Sequence, residues 1–316
     1  DGYVVRLAAA PGWCPYRSLL ATGAVLFERG DFKVKAGEFD EKTRWLLGER
    51  SAQQFAEIPT SDAVLPVRRA FPDSGYHILG GDFETSSEVR LLVDSGPLGY
   101  RAIAAHGHAD ALAVLLSVGG REFLIDPGTY VYHTEREWRD YFRSTAAHNT
   151  LRVDGLDQSQ IGGSFLWSRH AQACCEVWEP GAEADRFVGS HDGYRALPDP
   201  VVHRREILWS RPDRAIAITD RIDCRETHIV EQFWHFSEHC QLIVEGSAVI
   251  AENQGVRIRL APVEAPVEML VKQGDQAGHL GWVSRRFAVK EPTNTLVWRS
   301  RITGATILET HITCFV

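Results

Sequence analysis

The sequence predicts a mainly β protein, a large antiparallel β-sandwich preceded by a short helical segment. Three observations predict it. From about Pro66 onward, runs of four to nine residues rich in Val, Ile, Leu and Thr succeed one another with turn residues between them. Almost no helical apolar periodicity interrupts these runs. The first fifty residues are instead rich in Ala, Leu, Arg and Glu, with apolar residues spaced as in short amphipathic helices.

Taken in order, the leading segment suits helices over 3–9, 15–29 and 40–47, carrying Leu7, then Leu19, Leu20, Val25, Leu26 and Phe27, then Trp45, Leu46 and Leu47. Gly30, Gly37 and Gly48 punctuate them. Three such helices bury too little apolar surface to stand alone. They are expected to be the end of a larger helical domain or a collar packed on the β-rich part. The expected organisation is therefore a helical remnant over 1–60 and a sandwich over 61–316.

Strands are expected at 89–93, 113–118, 122–125, 150–153, 205–210, 215–222, 229–236, 242–244, 256–260, 267–271 and 295–299. Between them recur Gly119-Gly120, Asp154-Gly155, Gly162-Gly163, Pro212-Asp213, Asn253-Gln254-Gly255 and Thr303-Gly304, all turn-forming pairs or triplets. Many short strands at close spacing indicate an antiparallel sandwich of roughly 250 residues. No repeat of 20–50 residues points to a propeller or solenoid.

The chain holds 34 Lys and Arg against 42 Asp and Glu, a formal net charge of −8. That balance argues against non-specific nucleic-acid binding, which rests on cations neutralising phosphates. An anionic ligand must then meet a local basic patch. No apolar run is long enough to span a membrane, and no leader precedes a cleavage site. Six cysteines without a CxxC pair (Cys14, Cys174, Cys175, Cys224, Cys240, Cys314) are expected as small buried hydrophobes. The chain opens on Asp1 and its single methionine is Met269, so a piece of a longer polypeptide is expected.

The densest chemical stretch runs from Arg101 to Gln160. It holds His106-Gly107-His108-Ala109-Asp110, then Asp126-Pro127-Gly128-Thr129-Tyr130, then Tyr141-Phe142-Arg143-Ser144-Thr145-Ala146-Ala147-His148-Asn149-Thr150. Asp126 closes an apolar strand at a Pro-Gly turn, where a scaffold can present a rigid carboxylate. His148 stands at the entrance to the next strand. Two imidazoles and a carboxylate are a common zinc ligand set, because both donor types suit a borderline-soft cation. The bland alternative is a satisfied core histidine and a turn-forming aspartate.

This succession, extended by Ala111-Leu112 and by Val153-Asp154-Gly155, resembles the heparinase II/III-like family of polysaccharide lyases. The resemblance covers about 66–316, and its motifs are specific in combination. It implies a large antiparallel sandwich packed against an N-terminal (α/α) toroid, of which the leading segment would be the last part. It further implies zinc, structural in role, on His108, Asp126 and His148, and a substrate-facing His106. The spacing of eighteen between His108 and Asp126 fits a strand, a Gly-Gly turn and a return strand. Tyr130, Tyr132 and Tyr141 are hydroxyls near the same motifs, with core packing as the alternative.

The chemistry implied is β-elimination on an acidic, uronate-containing polysaccharide, in which a base takes the C5 proton and the glycosidic oxygen leaves C4. The site must neutralise the uronate carboxylate and the charge that develops on it. Arg143, Arg139, Arg136 and Arg101 could form the basic patch; a solvated face is the alternative. In the family the base is an Asn or His with a Tyr on the toroid, and no residue of this chain matches either. A periplasmic or secreted setting is implied by the family alone. The rival expectations are a catalytically silent sandwich that binds polysaccharide or supports the missing toroid, and a zinc hydrolase with an open metal position. Trp167, Trp178, Trp209, Trp234 and Trp298 are expected in the core. His203-Arg204-Arg205 and the stretch from Glu231 to His235 are expected as sheet-face residues, and Asp154 as a turn former beside Asp157.

Overall fold

The computed structural model describes residues 14–60, 67, 69–100 and 102–315. The helix expected over 3–9 and Arg101 lie outside the described residues. The chain divides into two compact units, a helical one that precedes Arg69 and a β-rich one from Arg69 onward.

In the helical unit, α1 (Pro15–Phe27) starts with proline in its first turn, where no amide partner is lost. It ends at Glu28, whose φ of 52° breaks the expected 15–29 helix. The chain restarts as α2 (Gly30–Ala36), α3 (Glu41–Leu47) and α4 (Arg50–Glu57). The Asp40 carboxylate caps α3 by accepting from Thr43 N at 2.9 Å. Ala21, Ala24, Ala36, Phe55 and Ile58 form the unit's small core, while Leu19, Phe27, Trp45 and Leu46 are exposed. No helix among the described residues is long and apolar enough to cross a membrane.

The chain is mainly β, 45% strand and 15% helix. The first sheet has the order of the chain: β1 (Ala70–Phe71), β2 (Tyr76–Gly81), β3 (Val89–Asp94), β4 (Val114–Val118), β5 (Arg121–Leu124). A helix, α5 (Arg136–Phe142), and a 3₁₀ turn (Thr145–Ala147) come next, then β6 (Leu151–Val153) and the hairpin of β7 (Gln160–Gly163) with β8 (Leu166–Arg169). They lead to β9 (Ala173–Pro180), β10 (Ala184–His191), β11 (Val202–Ser210), β12 (Ala215–Asp223), β13 (Thr227–His235), β14 (Gln241–Glu245), β15 (Ala248–Asn253) and β16 (Val256–Pro262). The chain closes with β17 (Glu268–Gln273), β18 (Trp282–Arg286), β19 (Val289–Pro292), β20 (Asn294–Thr303) and β21 (Thr306–Phe315). An eight-stranded sheet runs β14-β15-β16-β21-β12-β11-β10-β9 and a four-stranded one β17-β20-β13-β6.

These sheets face one another. Leu91, Leu116 and Phe123 of the first, Ile207, Trp209, Ile218 and Ile258 of the second, and Trp234, Leu296 and Trp298 of the third share one continuous core. The alternation responsible is clean: β11 and β12 bury every second residue along nine positions. Trp167, Trp209, Trp234 and Trp298 are buried as expected, with Trp178 partly so. The cysteines divide: Cys240 and Cys314 are buried, Cys174 is exposed, and all six are free thiols.

The expectation for His203-Arg204-Arg205 needs correcting. Only Arg204 faces out; His203 and Arg205 point inward and are wholly buried. Arg205 donates to both oxygens of buried Asp220, at 2.7 and 2.9 Å, and His203 Nε2 lies 2.7 Å from Asp220. The alternation that buries Ile207 and Trp209 buries these two as well, and Asp220 on the neighbouring strand meets their polarity. Removing one member of a buried pair leaves the other charge unmatched. Arg205→Met is expected to lose about 3–5 kcal/mol in urea unfolding; an unchanged midpoint would contradict the arrangement.

Candidate metal centre

Three loops converge because three strands stop together. β4 and β5 form the expected hairpin around Gly119 and Gly120, whose φ angles of 56° and 71° suit a tight turn. The hairpin sets the His108 segment before β4 and Asp126 just beyond β5 at one end of the sheet. At the Asp126 turn, Gly128 has φ 88°, and a Cβ there would meet Ser284 O at 2.3 Å. Only glycine lets this loop dock on β18. Asp126 Oδ1 accepts from Gly128 N at 2.7 Å, which fixes the carboxylate.

Asn149 binds the third segment to the other two. Its side-chain amide donates to Val114 O at 2.8 Å and Ile125 O at 2.9 Å, and its Oδ1 accepts from His235 N at 2.6 Å. Arg205 reaches the same place from below, donating to Leu112 O and Asn149 O. Ala109 N donates to Arg143 O, and Trp167 Nε1 to Gly107 O, so the HGH loop is tethered on both sides.

His108 and His148 then stand with ring centroids 5.2 Å apart, and His148 Nδ1 lies 3.1 Å from Asp126 Oδ2. Potential ligand atoms of His108, Asp110, Asp126 and His148 all lie within 4.8 Å of one another. His148 Nε2 is buried without a hydrogen-bond partner. The set fits a metal by its chemistry: nitrogen and oxygen donors gather within 4.8 Å of one another, and one buried imidazole nitrogen of His148 is unspent.

A cavity of about 610 Å³ opens on this cluster, lined among others by Tyr76, Asp94, His106, Asp110, Ser284 and Arg285. Its wall is acidic. Burial pushes the Asp94 carboxyl up to about 6, and burial with the charge of Asp94 pushes Asp110 up to about 7. Burial also presses on Asp126, but His148 and then His108 outweigh it and hold that carboxyl well below the usual range. Burial and His148 push His108 down to about 3, whereas Asp126 and the other carboxylates overcome burial and raise His148. Burial makes the ionised form of these carboxyls costly, and a cation beside them would offset that cost.

Residues 64–309 match the family model of the heparinase II/III-like C-terminal domain. The chain belongs to the heparinase II/III-like family. Its fold is that of solved heparinases. A heparinase III with methylated lysines superposes with TM-score 0.70 at 17% identity, covering 95% of this chain and 41% of that one. Heparan sulfate lyase HepC from Pedobacter heparinus gives 0.69 at 15%, covering 95% and 41%. A further heparinase III gives 0.61 at 16%, covering 77% and 36%. This chain therefore spans about two fifths of the length of those structures. No curated protein matches it in sequence.

The structure brings His106, His108 and Asp126 to one cavity, with His106 exposed on its wall, and sets buried His148 behind it against Asp126. It sets Tyr130, Tyr141 and Arg143 elsewhere, and none of them is among the lining residues. Tyr130 donates its hydroxyl to Glu135 at 2.7 Å under Lys290, and Tyr141 is buried in an aromatic cluster with Trp138 and Phe142. Arg143 is fully buried, donating to Asp140 and Gly163 O. These three candidate residues pack into the interior, which for the tyrosines is the alternative the sequence left open, because α5 and the chain on either side of it turn their side chains inward. Arg139 is likewise buried, and Arg136 is exposed beside Asp140. Tyr132 meets the His106 ring edge at 5.5 Å.

Asp94, Asp110, Tyr76 and Arg285 carry no role in the sequence reading. Only Asp110, two residues beyond His108, had a signal that could have found it.

His235 underpins the whole cluster. Its Nε2 donates to Ala146 O and its Nδ1 accepts from Thr295, so it is held neutral in full burial. Burial, then the charge of His148, pushes it down to about 3. The unfolded chain, with an ordinary histidine near 6.5, then binds more protons across that window. Stability from His235 is present at neutral pH and is lost as pH falls from about 6.5 toward 3. His235→Gln is expected to flatten urea-derived stability between pH 7 and 4.5 by up to about 1.4 kcal/mol per pH unit. Parallel curves for the two proteins would contradict this.

Proposed function

We propose that this chain is the zinc-holding sandwich of a polysaccharide lyase that cleaves a uronate-containing glycan by β-elimination. The observation that carries the reading is the convergence of His108, Asp126 and His148 beside a cavity walled by His106. The family match supports it, as do the heparinase III and heparan sulfate lyase names of the structures that share its fold.

In the reaction the C5 proton passes to a base, the electron pair forms the C4–C5 double bond, and the C4–O bond breaks. His106 presents an imidazole to the cavity, where a ring nitrogen can hold or release a proton beside the departing oxygen. Tyr132 and Phe165 pack on that ring and set its direction, with centroids 5.5 and 6.0 Å away. Arg285, the arginine of the cavity wall, spends its donors on Glu122 and Glu238. The group that neutralises the uronate and the base that takes the proton are therefore assigned to the toroid that completes the cleft. Zinc bound by His108, Asp126 and His148, with Asp110 as a further ligand, would supply fixed positive charge that offsets the acidic wall and clamps the three loops.

A second reading, a silent sandwich that carries polysaccharide for the toroid, gains support from the packing of Tyr130, Tyr141 and Arg143 away from the cavity. The full-length parent, its His106→Ala variant and this chain alone should be incubated with heparan sulfate and alginate, and ultraviolet absorbance of the unsaturated product monitored. The lyase reading expects absorbance from the parent, a fall of about 10²–10⁴-fold in the variant, and none from the chain alone. Undiminished turnover by His106→Ala would favour the silent sandwich. For the metal, His108→Ala and His148→Ala are each expected to lower bound zinc by about one ion per chain. Unchanged zinc content would overturn that part.

A further inference from the structure

A second ligand cluster lies apart from the cavity. Asp199 precedes β11, Cys224 comes after β12, and His228 is the second residue of β13; their potential ligand atoms all lie within 4.8 Å of one another. The side chains of Asp199 and His228 are only 6% and 7% exposed and Cys224 is half-buried, so the site is largely enclosed and opens to solvent on one side.

The arrangement around the histidine is that of a ligand with its orienting partner. His228 Nδ1 lies 2.6 Å from Asp154 Oδ2, and Asp154 Oδ1 accepts from Ile229 N at 2.9 Å. Asp154 thus fixes both the ring direction and the tautomer, which leaves Nε2 directed to Asp199 Oδ2 at 3.0 Å. Asp199 is itself fixed, accepting from Arg225 N and Glu226 N at 2.8 and 2.7 Å. Backbone donors hold its carboxyl down to about 2, so it is ionised. The Cys224 thiol packs beside them, 3.1 Å from Gly304 O in the turn between β20 and β21.

We propose that Asp199, Cys224 and His228 bind a divalent transition-metal ion of the zinc or cobalt type, with Asp154 orienting His228. One sulfur, one nitrogen and one oxygen ligand suit such an ion, and solvent completes a tetrahedron. Thiolate and the Asp199 carboxylate together match the ion's two charges, and Asp154 adds one negative charge behind His228. Binding releases the Cys224 thiol proton to solvent, and His228 binds through an Nε2 that carries no proton. The Cys224 and Asp154 readings of the sequence, small hydrophobe and turn former, gain a shared role here.

Cobalt(II) distinguishes this site from the first one, whose ligands include no thiolate. The intact chain is titrated with cobalt at mildly alkaline pH and the sulfur-to-cobalt charge-transfer band is monitored in the near ultraviolet. The expected result is a saturable band that zinc displaces, that Cys224→Ser abolishes, and whose cobalt affinity falls about 10–100-fold in Asp154→Asn. Circular dichroism of each variant confirms that it is folded. Absence of the band in the folded wild type, or its persistence in Cys224→Ser, would overturn the proposal.

Discussion

The side-chain amide of Asn149 holds together three segments that the backbone alone would leave apart. It satisfies carbonyls at the start of β4 and the end of β5, and accepts the amide of His235 from a third strand. None of these groups reaches water, so a lost partner would cost the full desolvation of a buried polar group. That penalty makes the position of the neighbouring His148 a property of the core and not of a loop. Arg205 adds a charged support below, tied to Asp220 and to the carbonyls of Leu112 and Asn149. The cluster is therefore preorganised by buried polar bonds that the sandwich itself has to satisfy.

The same rigidity explains why the cavity wall can be so acidic. Asp94, Asp110 and Asp126 are held close by strands and turns that cannot relax to separate them. Burial, with mutual repulsion beside it, raises two of the three carboxyls, and the histidines together with the Gly128 amide hold the third ionised. A fold that stores repulsion in this way is suited to a bound cation, whose charge turns the penalty into affinity.

Much of the fold was legible in the sequence because alternation over nine residues leaves little ambiguity, as in β11 and β12, and because an apolar-rich run such as that of β13 also marks a strand. The strands that escaped reading have physical reasons. β2 and β10 contain glycines and polar residues at positions buried by neighbours distant in sequence, and β21 mixes Glu309, Thr310 and His311 into its apolar run. The helix α5 is seven residues long and alternates charge with aromatics, too short to show a period. For the site, His108, Asp126 and His148 were legible as motif residues. Their partners were not: Asp94 and Arg285 lie on elements brought in by tertiary packing, and nothing local distinguishes a buried Arg205 from a surface one. Tyr130, Tyr141 and Arg143 stood beside the motifs in sequence, but the local direction of the backbone, and not proximity along the chain, decides which side chain reaches a cavity.

The central claim is that three side chains from separate loops enclose one metal ion. Anomalous X-ray diffraction from zinc-loaded crystals at the zinc absorption edge tests it most directly. The account expects a peak bounded by His108, Asp126 and His148, at about 2 Å from nitrogen and oxygen donors. A map of fully loaded protein with no density among those three residues would contradict it.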